Sequence, residues 1–570
     1  MPNRDPNNLN FYWSTLFVRS LFEQGVSRVI ISPGSRSTPI TLAFAAHPGF
    51  NKIINIDERS AAFMALGMSK VDKIPTCLVC TSGTAVANYL PAIIEASQSN
   101  IPLIVLSADR PPHLRGIGAS QTIDQLKIFG DYPVFFHEVG EPKESNNGIL
   151  RLERAAIQSV QYAVSKKGVS HVNFAFSKPF EPAKDFLEIV KSDNEKQSKK
   201  KFTLRTKSSA NECLTTDFWD TISESARPVI IAGCEISSIM GNSIQNLAKK
   251  MNAPILNEPG SNLPSSKYTV TGFDGFLRNN EVGENLTPDL ILRFGRDPIS
   301  KTLQNFFKTN SGIKQIRFTD RTQIRDESLT ADEFIFIDDG FEVKEVASES
   351  DKEWMRNWRR HQKAYYAQKE RIMFPTSPLT DGYIFHTISS LTPTRSFIML
   401  SNSFPIRDMA LFGDYDGKEI YVNRGSAGID GILSTTIGLS KTLKKTGILF
   451  IGDIAFLHDS NALLKLHEIE EPLIIVVLNN GGGSIFKMLP INSHKNEFGD
   501  YFETPHHVSL AALCRAHKID HTLISRPEQI IPTFESHIER PGAHIFECMT
   551  DAEDSMDLRK LLWEYKPDKE

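Results

Sequence analysis

The amino-acid sequence predicts an α/β protein of three domains, each a mainly parallel sheet flanked by helices. Short apolar runs such as Leu103–Ser107 alternate with amphipathic or Ala-rich stretches of helical pattern, and this alternation is typical of βαβ units. The chain has 570 residues, which at about 150 residues per domain corresponds to three to four domains. The two observations together favour several α/β domains in succession over one large sheet.

Two polar segments divide the chain into these domains. Residues 191–201 (KSDNEKQSKKK) form a Lys-rich break, which is typical of a solvated linker. A charged stretch of helical pattern at 348–371 separates a middle block from the last one. The predicted domains are therefore 1–190, 202–345 and 376–570.

Composition and charge exclude several classes of protein. Hydrophobic residues make up 40% of the chain and charged residues 23%, which excludes a disordered or collagen-like protein. Lys and Arg number 64 against 68 Asp and Glu, a formal net charge of −4, so no basic field exists to bind nucleic acid or an anionic membrane. The longest apolar runs are strand-sized, so we expect no stable membrane insertion.

The cysteines and the first residues favour a cytoplasmic protein. Six cysteines in 570 residues are too few for a disulfide scaffold. Cys77 and Cys80 form a C-x-x-C pattern, but residues three apart on a strand face opposite sides, so we expect buried thiols rather than a metal or redox site. The segment MPNRDPNNLN lacks the apolar core of a signal peptide.

Each predicted strand of the first block ends in a polar loop. Ligands of parallel sheets bind beyond the carboxyl ends of the strands, so these loops are candidate site elements. The loops are PGSRS at 33–37, Asp57-Glu58, TSGT at 81–84 and ADRPP at 108–112.

The most informative pattern is a pair of polar strand ends in the last block. Gly452-Asp453 follows the apolar run ILFI, and Asn479-Asn480-Gly481-Gly482 follows LIIVVL. Carboxylate, amide and backbone carbonyl oxygens suit Mg²⁺ (or Mn²⁺), which keeps positions open for phosphate oxygens. The glycines allow the backbone to approach a diphosphate, and the next helix start offers N–H groups. We therefore expect Asp453, Asn480 and the backbone at Gly482 to hold a metal ion, although a lone aspartate after a strand is more often a turn or helix cap.

This pattern resembles the metal motif of the thiamine-diphosphate (ThDP) enzymes, which runs from GD to NN over a similar interval. The third position, often Gly in that family, is Ile454 here. The resemblance assigns Glu58, in NIDERSAAF, as the catalytic glutamate that shares a proton with the cofactor's aminopyrimidine ring, and burial would raise its pKa. Without the metal motif, Glu58 would be interpreted as a first-turn residue favoured by the helix dipole.

Several motifs narrow the resemblance to one family, the 2-succinyl-5-enolpyruvyl-6-hydroxy-3-cyclohexene-1-carboxylate synthases of menaquinone biosynthesis. It implies a transferase that decarboxylates 2-oxoglutarate on ThDP and adds the succinyl carbanion to isochorismate in a 1,4-addition. The middle block matches only loosely. The motifs are SPGSRSTP (32–39), DER (57–59), TSGTA (81–85), SADRPP (107–112), GASQ (118–121), SNSFPIRD (401–408), NRGSAGIDG (423–431), GDIAFLHD (452–459) and NNGGGSIF (479–486).

Both implied substrates are dianions, so the site needs several cations, and the planar fork of Arg binds carboxylates in a bidentate manner. The family often has Arg after the lysine of the middle block, where this chain has Thr302. For isochorismate the resemblance implies Arg36, Arg110, Gln121 and Lys301, and it implies Ser35 as a further substrate-binding residue. For the oxoacid or its adduct it implies Ser403, Arg407 and Arg424, with Ser403 also contacting the cofactor.

Three apolar side chains complete the implied site. Ile429 would support ThDP in its bent form, Ile485 would contact the cofactor, and Phe486 would contact substrate. Apolar walls exclude water from the reacting atoms. In the family, active sites form between the first block of one chain and the last block of another, so we expect a homodimer or a dimer of dimers.

Two other functions remain open. The first is another ThDP-dependent 2-oxoacid decarboxylase or carboligase, but a substrate such as pyruvate carries one carboxylate and would not need this set of cations. A flavin-using synthase would need a Gly-rich dinucleotide fingerprint, which the middle block lacks. The second is a non-catalytic binding protein, which would be favoured by loss of Glu58, Asp453 or Asn480, and all three are present.

Overall fold

The structure, a computed structural model, contains three six-stranded sheets in which every strand pair is parallel. Helices connect the strands, which confirms the predicted α/β class. The predicted linker and the predicted bounds at 190, 202, 345 and 376 lie outside the described residues, so the exact domain limits stay predictions. The structure describes residues 9–143, 145–182, 214–319, 325–337, 340–344, 351–373 and 378–567.

The first and third sheets have the same strand order. The first runs β2-β1-β3-β4-β6-β5 and the third runs β14-β13-β15-β16-β18-β17. The first sheet consists of β1 (Arg28–Ile31), β2 (Asn51–Ile54), β3 (Thr76–Cys80), β4 (Leu103–Asp109), β5 (Phe135–Gly140) and β6 (Val169–Ala175). The third consists of β13 (Phe397–Leu400), β14 (Glu419–Val422), β15 (Gly447–Gly452), β16 (Leu473–Asn479), β17 (Asp520–Ile524) and β18 (Ala543–Met549).

In both outer sheets the direction of winding reverses between two central strands, β1 and β3 in one and β13 and β15 in the other. Such a reversal opens a crevice beyond the carboxyl ends of the strands, where ligands bind. The loops after these four strands carry Arg36, the TSGT motif, Ser403 and Asp453. The topology therefore places several of the predicted site residues at the two reversal points.

The middle sheet has the order β12-β11-β10-β7-β8-β9, in which the reversal lies between β7 and β10. Beyond this point, the buried Glu258 carboxylate accepts hydrogen bonds from Ile299 N at 3.2 Å and Ser300 N at 2.9 Å. These two N–H groups, just before the helix that begins at Lys301, are thus satisfied by a side chain of the same domain. The strands are β7 (Pro228–Ala232), β8 (Ile255–Asn257), β9 (Thr269–Val270), β10 (Leu290–Phe294), β11 (Lys314–Thr319) and β12 (Glu333–Phe336).

The charged stretch of helical pattern that the sequence predicts forms the helix α12 (Lys352–Ile372). Trp354 Nε1 donates to Pro228 O at 2.8 Å and Tyr365 OH donates to Leu411 O at 2.9 Å, so α12 is anchored beside both the middle and the third sheet. The helices of the first two sheets are α1 (Leu9–Glu23), α2 (Thr38–Ala46), α3 (Glu58–Asp72), α4 (Thr84–Ala87), α5 (Leu90–Ser99), α6 (Asn146–Ser165), α7 (Thr216–Glu224), α8 (Ser238–Met251), α9 (Phe273–Phe276), α10 (Asn280–Asn285) and α11 (Lys301–Thr309). The remainder are α12 (Lys352–Ile372), α13 (Asp381–Leu391), α14 (Phe404–Phe412), α15 (Ile432–Leu443), α16 (Asp453–His458), α17 (Lys495–Phe498), α18 (Leu510–Ala516), α19 (Ile530–His537) and α20 (Ala552–Trp563).

Short 3₁₀ helices and one π-helical turn also occur. The 3₁₀ helices are Pro112–Leu114, Ser460–Glu468, Ser484–Met488, Pro490–Ser493 and Pro527–Gln529, and the π-helical turn is Gly499–Glu503. The cysteines in the described residues are buried and form no disulfide with one another, Cys77 and Cys80 among them. None of the described helices is long and apolar enough to cross a membrane.

The fold forms two compact units that do not follow the order of the chain. Helix α15 belongs with the first sheet, although it follows β14 of the third sheet in sequence. The first unit comprises 1–205, 423–444 and 455–469, and the second comprises 206–422, 445–454 and 470–570.

Helices α3 and α15 of the first unit cross with their backbones in contact. A Cβ added to Gly67 would lie 2.1 Å from Thr435 O, and one added to Gly438 would lie 2.1 Å from Met64 O. Real Cβ atoms do not approach backbone oxygens so closely, so these positions require glycine. Because α3 begins at Glu58, the crossing fixes the start of that helix relative to the segment that precedes α15.

We expect Gly67→Ala to destabilise the protein by about 1–3 kcal/mol through overpacking. In an open helix the same change would stabilise by up to about 1 kcal/mol, because alanine has less backbone entropy to lose. Gly283→Ala in α10 is the matched control, since a Cβ there has no neighbour within 4 Å. Urea unfolding of both variants is the measurement, and equal stabilities would show that the crossing has room for a methyl group.

Candidate active site

Glu58 is the first residue of α3, directly after the strand β2. Asp57 caps this helix, and its Oδ1 accepts hydrogen bonds from Arg59 N at 2.9 Å and Ser60 N at 3.4 Å. Arg59 Nη2 donates to His458 O at 2.6 Å, which ties the helix start to a second segment of the first unit. The Glu58 carboxyl is half-buried, and burial raises its pKa above the usual value. The first unit thus presents a well-anchored carboxyl group that retains a proton more readily than a free glutamate.

Arg110 and Gln121, both assigned to isochorismate, meet in the structure. Arg110 Nε donates to Gln121 O at 3.4 Å, and Gln121 Nε2 donates to Ser82 O at 2.9 Å. The neighbouring loop after β1 lies equally close, since a Cβ on Gly34 would lie 2.3 Å from Thr81 Cβ. Three of the predicted loops therefore form one continuous surface at the carboxyl end of the first sheet.

A buried polar network that the sequence analysis missed supports this surface from behind. Asn173 of β6 donates to Asp109 Oδ2 at 2.9 Å, and its Oδ1 accepts from Gln125 Nε2 at 3.1 Å. Gln125 Oε1 accepts a backbone N–H of the TSGT loop at 2.9 Å, and Arg115 pairs with Asp109 at 2.8 Å. Asn173 lies far along the chain from these loops, and the strand around it, HVNFAF, has no feature that marks it.

Ser35 and Arg36 lie in the loop after β1. Ser35 is exposed, whereas Arg36 is only 5% exposed. Arg36 Nη1 donates to Phe176 O, and its guanidinium lies 4.5 Å from the centroid of the Phe180 ring. Its Nε is buried without a hydrogen-bond partner among the described residues. Arg36 is thus a buried cation with one unsatisfied N–H group, which differs from the more accessible Arg110.

Arg424 and Ile429 lie on the loop that precedes α15, and both are half-buried. Gly425 N and Ser426 N of this loop donate to the Glu95 carboxylate at 2.9 and 2.7 Å. Glu95 belongs to α5 and is 3% exposed. Nothing in the sequence indicates this role of Glu95, because a glutamate in an amphipathic helix is ordinarily a solvent-facing residue.

In the second unit, Asp453 and Asn480 follow the adjacent strands β15 and β16. The Asp453 carboxylate is buried and accepts hydrogen bonds from Ile454 N at 2.7 Å and Gly482 N at 2.9 Å, and His506 Nε2 lies 3.3 Å from it. Burial raises the pKa of Asp453. Asn480 Oδ1 is buried with no hydrogen-bond partner among the described residues. An orphaned oxygen and a buried carboxylate at neighbouring strand ends fit a cation, which would satisfy both.

The glycines after Asn480 bring the backbone close to the carbonyl of Glu503. A Cβ on Gly482 would lie 2.5 Å from Glu503 O, and Gly483 N donates to the same carbonyl at 2.6 Å. Ile485 and Phe486 follow in a 3₁₀ helix and are both half-buried. The loop therefore brings backbone and two apolar side chains together just beyond the predicted metal ligands.

Ser403 and Arg407 lie at the start of α14. Ser403 has a φ of +73°, a conformation that is strained for a residue with a side chain and typical of functional sites. Arg407 is exposed, and its Nη1 donates to Ser403 O. Helix α14 is held by a buried ion pair, in which Arg559 Nε donates to Asp408 Oδ1 at 2.8 Å and Arg559 Nη2 donates to Asp381 Oδ2 at 2.7 Å. Arg559 lies in α20, and nothing in the sequence indicates its contact with α14.

Lys301 is the first residue of α11, beside the middle sheet. Its side chain is 72% exposed, and Nζ contacts Gln304 Oε1 and lies 3.5 Å from Glu327 Oε1. Neither partner is a predicted site residue. The structure therefore does not join Lys301 to the other predicted site residues.

No group of three His, Cys, Asp or Glu side chains forms a metal site within the part of the chain that the structure describes. The predicted ligand set is of another kind, with one carboxylate, one amide oxygen and one backbone carbonyl. Such a set leaves several coordination positions for the oxygens of a diphosphate.

Comparison with protein families assigns all three domains. Residues 13–128 match the N-terminal TPP-binding domain of thiamine pyrophosphate enzymes, residues 190–396 their middle domain, and residues 413–548 their C-terminal TPP-binding domain. ThDP is therefore the cofactor of this enzyme.

Individual relatives narrow the assignment. The chain is 35% identical to the 2-succinyl-5-enolpyruvyl-6-hydroxy-3-cyclohexene-1-carboxylate synthase of Geobacillus kaustophilus over 97% of both chains. The chain belongs to this synthase family. It is also 32% identical to the synthase of Oceanobacillus iheyensis over 96% of both chains and to that of Haloarcula marismortui over 98% of both chains. The resemblance inferred from sequence motifs is confirmed.

Proposed function

We propose that the protein decarboxylates 2-oxoglutarate and transfers the succinyl group to isochorismate, giving 2-succinyl-5-enolpyruvyl-6-hydroxy-3-cyclohexene-1-carboxylate and CO₂ in menaquinone biosynthesis. The observation that carries this proposal is the likeness to the named synthases, because it extends over nearly the full length of both chains. The arginines on the predicted loops support it, since two dianionic substrates require several cations.

When bound, ThDP supplies the electron sink that allows an oxoacid to lose CO₂. Glu58 would share a proton with the aminopyrimidine ring nitrogen, and its raised pKa supports that role. Ile429, Ser403 and Ile485 would contact the cofactor and fix its orientation. Phe486 would shield the reacting atoms from water, so that the succinyl group is transferred rather than released as a simple decarboxylation product.

We assign Asp453, the Asn480 amide oxygen and the Gly482 carbonyl as ligands of Mg²⁺ or Mn²⁺. The orphaned Asn480 Oδ1 supports this assignment, since the buried atom has no hydrogen-bond partner in the described chain. The ion would bridge the diphosphate to the third sheet, and no dedicated cluster of acidic side chains is needed for such a site.

We assign the substrates to separate groups of residues. Isochorismate would bind Arg36, Arg110 and Gln121 of the first domain. Ser403, Arg407 and Arg424 would bind 2-oxoglutarate or its adduct, and Ser35 would bind one of the substrates. The contact between Arg110 and Gln121 supports the first group. The exposed position of Lys301 gives no support to its assignment to isochorismate, which stays a prediction.

We propose a homodimer or a dimer of dimers, with each active site formed by the first domain of one chain and the last domain of another. We also propose a cytoplasmic location. The described cysteines are buried and form no disulfide with one another, which supports a reducing compartment.

The decisive experiment is an assay of 2-oxoglutarate consumption with and without isochorismate. We expect CO₂ release that depends on isochorismate, together with formation of the succinylated product. Equal consumption without isochorismate would favour another ThDP-dependent 2-oxoacid decarboxylase, and no consumption in either case would refute the proposed reaction.

We expect Glu58→Gln to retain ThDP and metal but to lose most turnover, because an amide cannot share the ring proton. Hydrogen–deuterium exchange at C2 of the bound cofactor, followed by NMR, is the measurement. Glu281→Gln is the matched control, since Glu281 is an exposed first-turn glutamate of α10. If exchange in the Glu58 variant is as fast as in the wild type, Glu58 has only the helix-dipole role that both residues share.

Asp453→Ala should abolish ThDP binding at ordinary Mg²⁺ concentrations, because the diphosphate loses its bridge to the protein. Calorimetric titration of the metal-loaded protein with ThDP measures this loss. Asp557→Ala, which removes an exposed carboxylate of α20, should bind ThDP like the wild type. Unchanged ThDP affinity in the Asp453 variant contradicts the metal assignment.

The two substrate groups should separate in steady-state kinetics. Loss of one partner of a buried charge-assisted pair costs about 2–5 kcal/mol, or roughly 30-fold or more. Arg110→Ala should raise the KM for isochorismate by about that factor with little change for 2-oxoglutarate, and Arg407→Ala should do the reverse. Each variant is the control for the other, and equal effects on both substrates would refute the division.

A further inference from the structure

Glu95 is a buried acid that the proposed mechanism does not use. Its carboxylate, on α5, accepts hydrogen bonds from Gly425 N at 2.9 Å, Ser426 N at 2.7 Å, Ser426 Oγ at 3.2 Å and Ser99 Oγ at 2.7 Å. Three of these four donors belong to the loop 424–430, which we call the Arg424 loop. A residue of the first domain thus holds a loop that lies more than 300 residues away in the chain.

Two successive N–H groups that bind the two oxygens of one carboxylate form an arrangement that proteins use to bind anions. Here the anion is a side chain of the same chain. Because Glu95 is 3% exposed, these charge-assisted bonds act in a medium of low polarity, where they are strong. The Glu95 carboxylate therefore occupies the anion-binding position of the Arg424 loop, and the N–H groups of Gly425 and Ser426 are already bound.

The two sides of the loop have different surroundings. On one side, a Cβ on Gly425 would lie 2.7 Å from both Glu95 O and Ser99 Oγ, so the backbone lies directly against α5. On the other side, a pocket of about 260 Å³ separates the loop at Gly428 and Asp430 from the side chains of helices α3 and α5. On the α5 side, the loop is thus held both by close backbone packing and by the Glu95 carboxylate.

We infer that Glu95 is a positioning residue that fixes the Arg424 loop, and so places Arg424 for the oxoacid and Ile429 for the cofactor. Glu95 touches neither substrate nor cofactor in this role. The inference rests on the proposed function, since the roles of Arg424 and Ile429 do.

The test compares Glu95→Gln with Ser99→Ala in the full-length protein. Glu95→Gln places an amide against two N–H donors, whereas Ser99→Ala removes a hydrogen bond to the same carboxylate and leaves the hydrogen bonds between Glu95 and the loop in place. We expect Glu95→Gln to speed amide hydrogen exchange in residues 423–431 by about ten-fold or more. Ser99→Ala should leave exchange in this segment unchanged.

Kinetics and calorimetry test the consequence for function. In Glu95→Gln we expect the KM for 2-oxoglutarate to rise about ten-fold, the KM for isochorismate to stay within about two-fold, and the ThDP affinity to fall. Ser99→Ala should change none of the three. If Glu95→Gln does not fold, Glu95→Asp serves instead, because its carboxylate is charged but withdrawn from the two N–H groups.

Unchanged exchange in residues 423–431 overturns the inference, as does faster exchange with no change in the oxoacid KM or the ThDP affinity. A uniform rise in both substrate KM values overturns it as well, since that result indicates a general loss of structure. If the wild type does not consume 2-oxoglutarate, the proposed function fails, and hydrogen exchange together with ThDP affinity still decides the role of Glu95.

Discussion

The backbone contact between α3 and α15 is the constraint on which the first unit depends. Two helices that meet at Gly67 and Gly438 have only one register in which they fit, because either neighbour along the helix would bring a side chain into the contact. The register then determines where each helix starts. One start carries Glu58, and the other follows the loop of Arg424 and Ile429. A packing contact that involves no catalytic side chain thus sets the position of three predicted site residues.

The parts of the fold and site that could be predicted from the sequence share one property, which is that their signals are local. Asp453 and Asn480 each end an apolar run, so their positions at strand ends could be inferred before the sheet was known. That Asp453 and Asn480 lie close together could also be inferred, because consecutive strands of βαβ units are often adjacent, and β15 does pair with β16. The shared strand order of the outer sheets could not be inferred, since the two domains have no sequence repeat that marks corresponding strands.

The residues that were missed are buried polar groups whose partners are distant in sequence. Glu95, Asn173 and Arg559 are each almost fully buried and each contacts a segment that the chain reaches much later or much earlier. Burial of such groups is tolerated only because they are hydrogen-bonded. The spacing of residues within a helix or strand contains no information about a tertiary partner. From the sequence alone, these three polar residues are therefore predicted to lie on the surface. The same limit explains why Arg36 and Arg110 look alike in sequence, although the first is buried and the second is half-buried.

The carboxylate of Glu258 occupies backbone donors of the middle domain that could otherwise bind an anion. The strand order of this sheet is that of dinucleotide-binding proteins, in which ligands bind in the crevice beyond the carboxyl ends of the two central strands. In this chain Glu258 is bound to the N–H groups of Ile299 and Ser300 at that point. An incoming phosphate would meet a negative charge instead of two donors, and it could displace that charge only by exposing a buried acid. A carboxylate of the domain itself therefore occupies two backbone donors on one side of this crevice, and an anion from solution would have to compete with it there.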